Sequence, residues 1–290
     1  MKTVEIIIDT AYDGKPVKTV LKHRLKISAA ILTSLKKHSD GILVNGTKAM
    51  ANTIVHMGDT ITINIHDTSS PNIEPCRMEL DILQEDEDIL VLNKPRSMPT
   101  HPSQNHHSDT LANGVMHYYR HSDFTFRVIT RLDRDTSGVV LIAKNLLSAS
   151  LLSEQMRRQA IHKEYIALCH GTPQNASGTI DAPIARVEGS TILRCVSPNG
   201  KKSITHYSVV STHGNLSLIN LNPQTGRTHQ LRVHLAHIGH PIYGDDMYGS
   251  PVIGDRTRLH CRAITFTSPA SGETITVEAP IPSDIAELIK

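Results

Sequence analysis

Arg131-Leu-Asp-Arg-Asp-Thr-Ser-Gly138 leads directly into Val139-Val-Leu-Ile-Ala-Lys144, and that junction decides how the chain is read. Val139–Lys144 is an apolar run of strand length, the kind buried on both faces of a sheet. The eight residues before it put two carboxylates and two guanidiniums in a tight loop. Gly138 permits a close backbone turn at the strand's entry. A polar loop feeding a core strand is a rigid mount for a catalytic carboxylate. The same residues would equally make an exposed loop laced by ion pairs.

Two look-alikes of this loop fail. Asp135-Thr-Ser-Gly138 has no second copy, which an aspartic-protease dyad needs to share its proton. Asp133-x-Asp135 stands before its strand, whereas the aspartyl-phosphate phosphatases place their pair after one. Outward from the loop, short strands alternate with few helices. Ile89–Asn93, Tyr165–Cys169, His206–Ser211 and Leu216–Leu221 read as strands, Leu146–Gln159 and Thr228–His237 as helices. There is no internal repeat, low-complexity tract or heptad run. The pattern predicts a mixed α+β class rather than a regular βαβ wind.

Residues 1–67 read as a small module. Ser28 is a helix cap, Ile31, Leu32 and Leu35 are the apolar stripe behind it, and Ser39-Asp40-Gly41 ends the helix. Ile42–Val44 and Asp59–Ile65 read as strands, with Asn45-Gly46 as a hairpin turn. Lys22, Arg24, Lys26, Lys36 and Lys37 lie opposite the stripe. Asp67–Pro75 has turn-formers and two prolines, and separates the module from the rest. The division expected is therefore 1–70, a linker at 71–77, and a larger domain over 78–290.

The whole chain agrees. At 290 residues it exceeds the usual single-domain length of about 150. An apolar share of 39% with 20% charged residues describes a core-forming, soluble protein. No stretch has the roughly 18 apolar residues of a membrane span, and the N-terminus is a poor signal peptide, so the expected location is cytoplasmic. Cys76, Cys169, Cys195 and Cys261 form no C-x-x-C pair, which leaves structural zinc and redox motifs unsupported. Net charge is only +2, but from Gly189 to Gly244 there is no Asp or Glu, while Arg194, Lys201, Lys202, Arg227 and Arg232 fall there. Such a stretch suits a polyanion, or a basic surface balanced by the acidic stretch Glu79–Asp88.

Two further clusters carry chemistry. Tyr165, at a strand's start, offers a stacking ring or an acid–base phenol; a core-edge tyrosine would look the same. In Thr225–His234, a helix beginning near Thr228 would set His229 and Arg232 three apart on one face, with Gly226 and the helix N-terminus forming an anion site. His229, His234, His237 and His240 have no metal-site spacing and no intervening carboxylate, so no metal is expected.

In this order the segments resemble the RluA family of pseudouridine synthases. Leu92-Asn-Lys-Pro95 with Pro99-Thr-His-Pro102 is similar to its opening segment, Arg131–Gly138 to its signature loop, Lys163-Glu-Tyr165 to its tyrosine segment and Gly226–Gly249 to its C-terminal motif. Leu259-His260 and Pro280-Ile-Pro282 fit as well, so the resemblance spans about residues 78–282. Residues 18–65 resemble, more loosely, the S4-type RNA-binding domain. Two positions depart from the family: Thr130 stands for its usual His, and Arg96-Ser97 for a small residue and Gly. The first bears on how the loop is braced, the second on how the early turn closes.

The resemblance implies a pseudouridine synthase fold, a mainly antiparallel mixed sheet with flanking helices, behind a small α/β RNA-binding domain. It implies isomerisation of uridine in structured RNA without a cofactor. Asp133 would be the essential carboxylate, Tyr165 would stack on the target base, and Arg232 would pair with Asp133. Arg131 would enter the RNA helix near the vacated base. Lys22, Arg24, Lys36, Lys37, Arg227 and His229 would contact RNA. The partner expected is ribosomal RNA of the large subunit (23S), by analogy with front-domain members, with transfer RNA as the alternative and no membrane or metal partner. A non-catalytic RNA-binding protein keeping the fold, or a carboxylate hydrolase, are the readings from other classes.

Overall fold

The computed structural model describes residues 2–66, 73–251 and 256–289. Residues 67–72, with the expected 70/71 boundary and most of the Asp67–Pro75 separator, lie outside the described residues.

Alternation builds the N-terminal module. Ile61, Ile63 and Ile65 alternate along Thr60–Ile65 and are all buried. That strand is central in a four-stranded antiparallel sheet with Lys2–Ile7 on one side and Ile42–Val44, then Thr47–Lys48, on the other. Asn45 and Gly46 close the hairpin with φ of 51° and 76°, the mirror-type turn that suits the strands' twist. Ser28 caps the helix Ala29–Leu35, its Oγ accepting from Ile31 N at 3.3 Å, and Ile31, Leu32 and Leu35 are buried. A second helix, Val17–Arg24, buries Val17, Val20 and Leu21. It starts after Pro16 with no side-chain cap, so the sequence carried no start signal for it.

The larger domain is built on a ten-stranded sheet. Across it run Ser177–Asp181, Ile204–His213, Leu216–Pro223, His162–His170, Leu259–Thr267, Ser137–Ala143, Ile89–Lys94 and Ile82–Glu85; Thr274–Glu278 and Arg127–Val128 flank the middle. Neighbouring strands pair antiparallel except at one seam. There Ser137–Ala143 and Leu259–Thr267 run parallel through Ser137↔His260 and Gly138↔Cys261. Gly138 sits at φ 111°, and a Cβ on it would collide with the Cys261 backbone, so this approach requires glycine. Every residue of Ser137–Ala143 is buried, as its apolar run predicts.

Several strands outrun their apolar cores, notably His162–His170 and Ile204–His213. The ladder is made by backbone groups and continues where side-chain alternation stops. Helices Leu111–Tyr118, Leu146–Arg157 and Gln230–His237 contribute buried apolar residues. Leu146–Arg157 faces two cores: Leu152 belongs to the large one, while Leu147, with Leu146 and Leu151, packs into the core of the N-terminal module.

Candidate active site

A cleft of about 780 Å³ opens where the two sheet halves meet, lined by Asp133, Tyr165, Arg232, Arg131, Lys163 and His229 among others. These come from three separate segments, and the fold holds them by identifiable bonds. The loop before Ser137–Ala143 is clamped from three directions. Thr130 Oγ1 accepts from Leu141 N at 3.0 Å. Thr100 Oγ1 donates to Leu132 O at 2.8 Å. The Lys94 ammonium donates to Arg134 O at 3.0 Å, and to Pro95 O and Met98 O at 2.8 Å each. Thus Thr130, where the family usually has His, braces the loop through its hydroxyl. Ser97, where the family usually has Gly, takes a left-handed φ of 57° to close the early turn.

Lys94 is fully buried at the end of its strand. Burial pushes its pKa down to about 7, opposed by the carboxylates of Asp135 and Asp133. Its three acceptors call for three N–H donors, which the ammonium supplies.

The clamped loop presents Asp133 half-buried at the cleft. Asp135, two residues on, is engaged by its neighbour: Arg134 Nε and Nη2 donate to its oxygens at 3.1 and 3.3 Å. Arg131 is exposed at the mouth.

Tyr165 does not start its strand, which begins at His162. A register shift against Leu259–Thr267 falls between Glu164 and Tyr165, a bulge that re-aims the side chains beside a site. Lys163 and Tyr165 both line the cleft, with the ammonium 6.0 Å from the ring centroid. Burial, with Cys261 and Asp133 nearby, raises the phenol's pKa well above its usual value. Burial lowers that of Lys163, partly offset by Cys261 and Asp133.

The expected Arg232–Asp133 pair is corrected by the structure. Arg232 Nε and Nη2 donate to Asp245 Oδ2 and Oδ1 at 2.7 and 2.6 Å, a bidentate buried pair. Asp245 is the first acidic residue past the acid-free stretch, close enough along the chain for the turn after the helix to return it to Arg232. Burial disfavours the guanidinium charge, but Asp245, and more distantly Asp133, outweigh it and raise its pKa. Asp133 therefore acts on Arg232 through its field.

The helix begins at Gln230, not Thr228, with His229 left-handed at φ 56°. His229 thus leaves the helix face it was expected to share with Arg232. Gln230, buried, ties the preceding turn in: its Oε1 accepts from Thr225 Oγ1 and Arg227 N, and its Nε2 donates to Ile204 O and Thr205 Oγ1. Tyr248 OH accepts from Arg194 N at 3.1 Å and lies 2.7 Å from His229 Nδ1. Burial lowers the pKa of this imidazole. The Arg232 guanidinium lies 5.0 Å from the Tyr248 ring centroid.

The other histidines of that ladder scatter: His234 bonds Thr205 and Ala182, and His240 bonds His170 O. Of the other expected RNA contacts, Lys22, Lys36 and Lys37 on the N-terminal module are exposed, Arg24 is tied to Asp9 and Ile7 O, and Arg227, which lines the cleft, donates to Lys202 O. The sequence reading missed the roles of Lys94, Gln230, Asp245 and Tyr248. The signal for Asp245 was its position, the first carboxylate after a long run of unpaired cations.

Comparison with known proteins agrees with the geometry. Residues 88–237 match the RNA pseudouridylate synthase family. The chain is 36% identical to the Bacillus subtilis protein YhcT, described as an uncharacterized RNA pseudouridine synthase, over 99% of this chain and 96% of that one. It is 36% identical to ribosomal large subunit pseudouridine synthase D of Escherichia coli K12, over 80% of this chain and 76% of that one. The solved structure of human RNA pseudouridylate synthase domain containing 1 superposes with a TM-score of 0.60 at 29% identity, covering 70% of this chain and 83% of that one. A clamped aspartate loop, a tyrosine at a bulge and a buried arginine converge on one cleft in a chain with such relatives: it belongs to the RluA family of RNA pseudouridine synthases, isomerases acting on RNA.

Proposed function

We propose that the protein isomerises specific uridines of 23S ribosomal RNA, with Asp133 as the catalytic carboxylate and no cofactor. The observation carrying this is that Asp133, alone of the loop's two carboxylates, has no ion-pair partner among the described residues and lines the cleft shared with Tyr165 and Arg232. The reaction breaks a carbon–nitrogen glycosidic bond, turns the base and rejoins it through carbon. Nothing is oxidised and no group leaves, so the chemistry calls for no redox or group-transfer cofactor. The uridine must first leave its stack, at a cost of a few kcal/mol.

In this reading Tyr165 stacks on the extruded base, and Arg131 at the mouth slides a planar cation into the space it vacates. Arg232, held by Asp245, lends positive potential to Asp133 and the ring. Residues 1–70 form an S4-like docking domain whose Lys22, Lys36 and Lys37 meet RNA phosphates, with Arg24 on the same module and Arg227 and His229 contacting RNA nearer the cleft. Residues 71–77 link it to a catalytic domain over 78–290. No described helix is long and apolar enough to cross a membrane, and a ribosomal RNA substrate puts the enzyme in the cytoplasm. The large-subunit target rests on the relative named for it.

The test is tritium release from RNA labelled at uridine carbon 5. Asp133→Asn should fold and bind RNA normally but release essentially nothing, while Asp135→Asn should keep most activity. Near-normal turnover by Asp133→Asn would remove it as the catalytic group. Pseudouridine mapping of ribosomal and transfer RNA from cells with and without the protein identifies the target. Loss of a site confined to transfer RNA would overturn the 23S assignment.

A further inference from the structure

The catalytic cleft leaves one cluster of metal-ligating side chains unexplained. Among the described residues, His38, Asp40 and His66 offer two imidazole nitrogens and a carboxylate oxygen, all within 4.8 Å of one another. They lie in the N-terminal module. His38 and Asp40 flank the turn after the helix Ala29–Leu35, and His66 follows the last residue of the strand Thr60–Ile65. We propose that this cluster is a binding site for a first-row divalent transition ion of the zinc type, clamping the turn to the strand at the point where the chain leaves the module.

Three observations carry the proposal. First, the backbone that presents the ligands is fixed. Asn64, nearly buried, donates through Nδ2 to Asp40 O at 2.9 Å and through its backbone N to Gly41 O at 3.2 Å. Its Oδ1 accepts from Thr3 Oγ1 at 2.8 Å. Gly41 packs so closely on Leu35 that any Cβ would strike that carbonyl, which seats the turn against the helix end. Asp40 and His66 thus keep a set relation without a metal.

Second, the side chains are already gathered. His66 Nε2 lies 3.0 and 3.1 Å from the two Asp40 oxygens, and the His38 and His66 rings stack with centroids 4.3 Å apart at 22°. A tetrahedral ion with ligands near 2.0–2.1 Å holds its donors about 3.4 Å apart, so the set needs to contract by little more than an ångström. All three side chains are exposed or half-buried, so their rotamers are free to do so.

Third, the donor set selects among metals. Two imidazoles and one carboxylate are too nitrogen-rich for magnesium or calcium, which take oxygen ligands. They suit zinc, cobalt, nickel or copper. The His66–Asp40 hydrogen bond alone uses one imidazole and leaves the ring nitrogens of the other without a role. A divalent ion uses both ring lone pairs and the carboxylate together, with solvent completing its coordination.

The spacing in sequence hides this site. His38 and Asp40 stand more than two dozen residues from His66, and only the pairing of Ile42–Val44 with Thr60–Ile65 brings them together.

The experiment uses the full-length protein, stripped with chelator. Zinc is titrated by calorimetry and cobalt by visible absorption, and melting is followed with and without zinc. The expected result is one zinc per chain, a cobalt spectrum typical of low coordination number and a melting temperature raised by several degrees. His66→Ala and His38→Asn should each weaken binding at least tenfold and abolish the zinc-dependent rise in melting temperature. Far-ultraviolet circular dichroism should show both variants folded. A variant with Cys76 and Cys195, the two partly exposed thiols, changed to Ser should bind as wild type does. Absence of binding, or equal binding by the His38→Asn/His66→Ala double variant, would overturn the proposal and leave His66–Asp40 as a simple ion pair.

Discussion

Arg232 and Asp245 are almost wholly buried, with side-chain exposures of 4% and 0%. Removing one partner of such a pair strands the other charge in a medium that cannot solvate it. Arg232→Met is therefore expected to cost roughly 3–5 kcal/mol of stability. Adding Asp245→Asn should restore much of that, whereas adding Asp133→Asn should restore none. Denaturant melts of the three variants read this directly, and equal rescue by Asp133→Asn would mean the structure has the wrong partner. A second residue sets a pH dependence. His260 is fully buried with Nδ1 2.9 Å from Ser137 Oγ, and burial pushes its pKa from the usual 6.5 down to about 4. Between those values the unfolded chain takes up a proton that the fold refuses. Stability should therefore be full above pH 6.5 and fall as pH drops toward 4, by on the order of 3 kcal/mol from this group. His260→Gln should flatten that slope in melts taken across the window. The sequence supplied the residues of the cleft but not these pairings. Asp133, Tyr165 and Arg232 stood out by type and by family resemblance. That Arg232 would turn to Asp245 depended on a turn geometry that no spacing rule fixes.

Among elements, the most legible were those with a side-chain signal at their ends or along their length. The Ser28-capped helix, the Asn45-Gly46 hairpin and the apolar strand after Gly138 appear where expected. The helix Val17–Arg24 was hidden by its uncapped start, and the onset of Gln230–His237 was misread because His229 adopts the left-handed conformation. Nor could a sequence pattern reveal that Ser137–Ala143 and Leu259–Thr267 run parallel, since the seam consists of two residue pairs contributed by segments far apart. That seam makes a prediction at this scale. Gly138→Ala forces a Cβ against the Cys261 backbone and also strains a φ of 111°. Backbone on both sides has no rotamer by which to yield, so the variant should lose roughly 3 kcal/mol or more. Hydrogen exchange should quicken first at Ser137, Gly138, His260 and Cys261. An unchanged melt would mean that the two strands separate easily and that the seam is not what holds the cleft's halves together.

For the whole molecule, the question is how the module and the catalytic domain depend on each other. Their hydrophobic cores meet on the helix Leu146–Arg157, whose Leu147 is buried in the module's cluster with Leu146 and Leu151 packed against it. Electrostatics reinforce the contact. Lys2 lies 3.1 Å from Glu87 and 3.4 Å from Asp88, and although burial disfavours its charge, those carboxylates prevail and raise its pKa. Asp88 also receives Asn145 Nδ2 and Ser148 Oγ at the start of the same helix. Deleting residues 1–70 should consequently leave a folded catalytic domain, since the larger core and its sheet lie wholly beyond the cut among the described residues. It should also uncover the three leucines as a new apolar patch, so the fragment should associate at concentrations where the full chain stays dispersed. Changing Leu147 and Leu151 to Gln in the fragment should restore monomeric behaviour in sedimentation without altering its melting transition. RNA binding then separates two roles of the module. If Lys22, Lys36 and Lys37 meet phosphates, the soluble fragment should bind more weakly and its affinity should vary less steeply with salt. If the module only covers the leucines, the repaired fragment should bind RNA as tightly as the full chain, with the same salt slope.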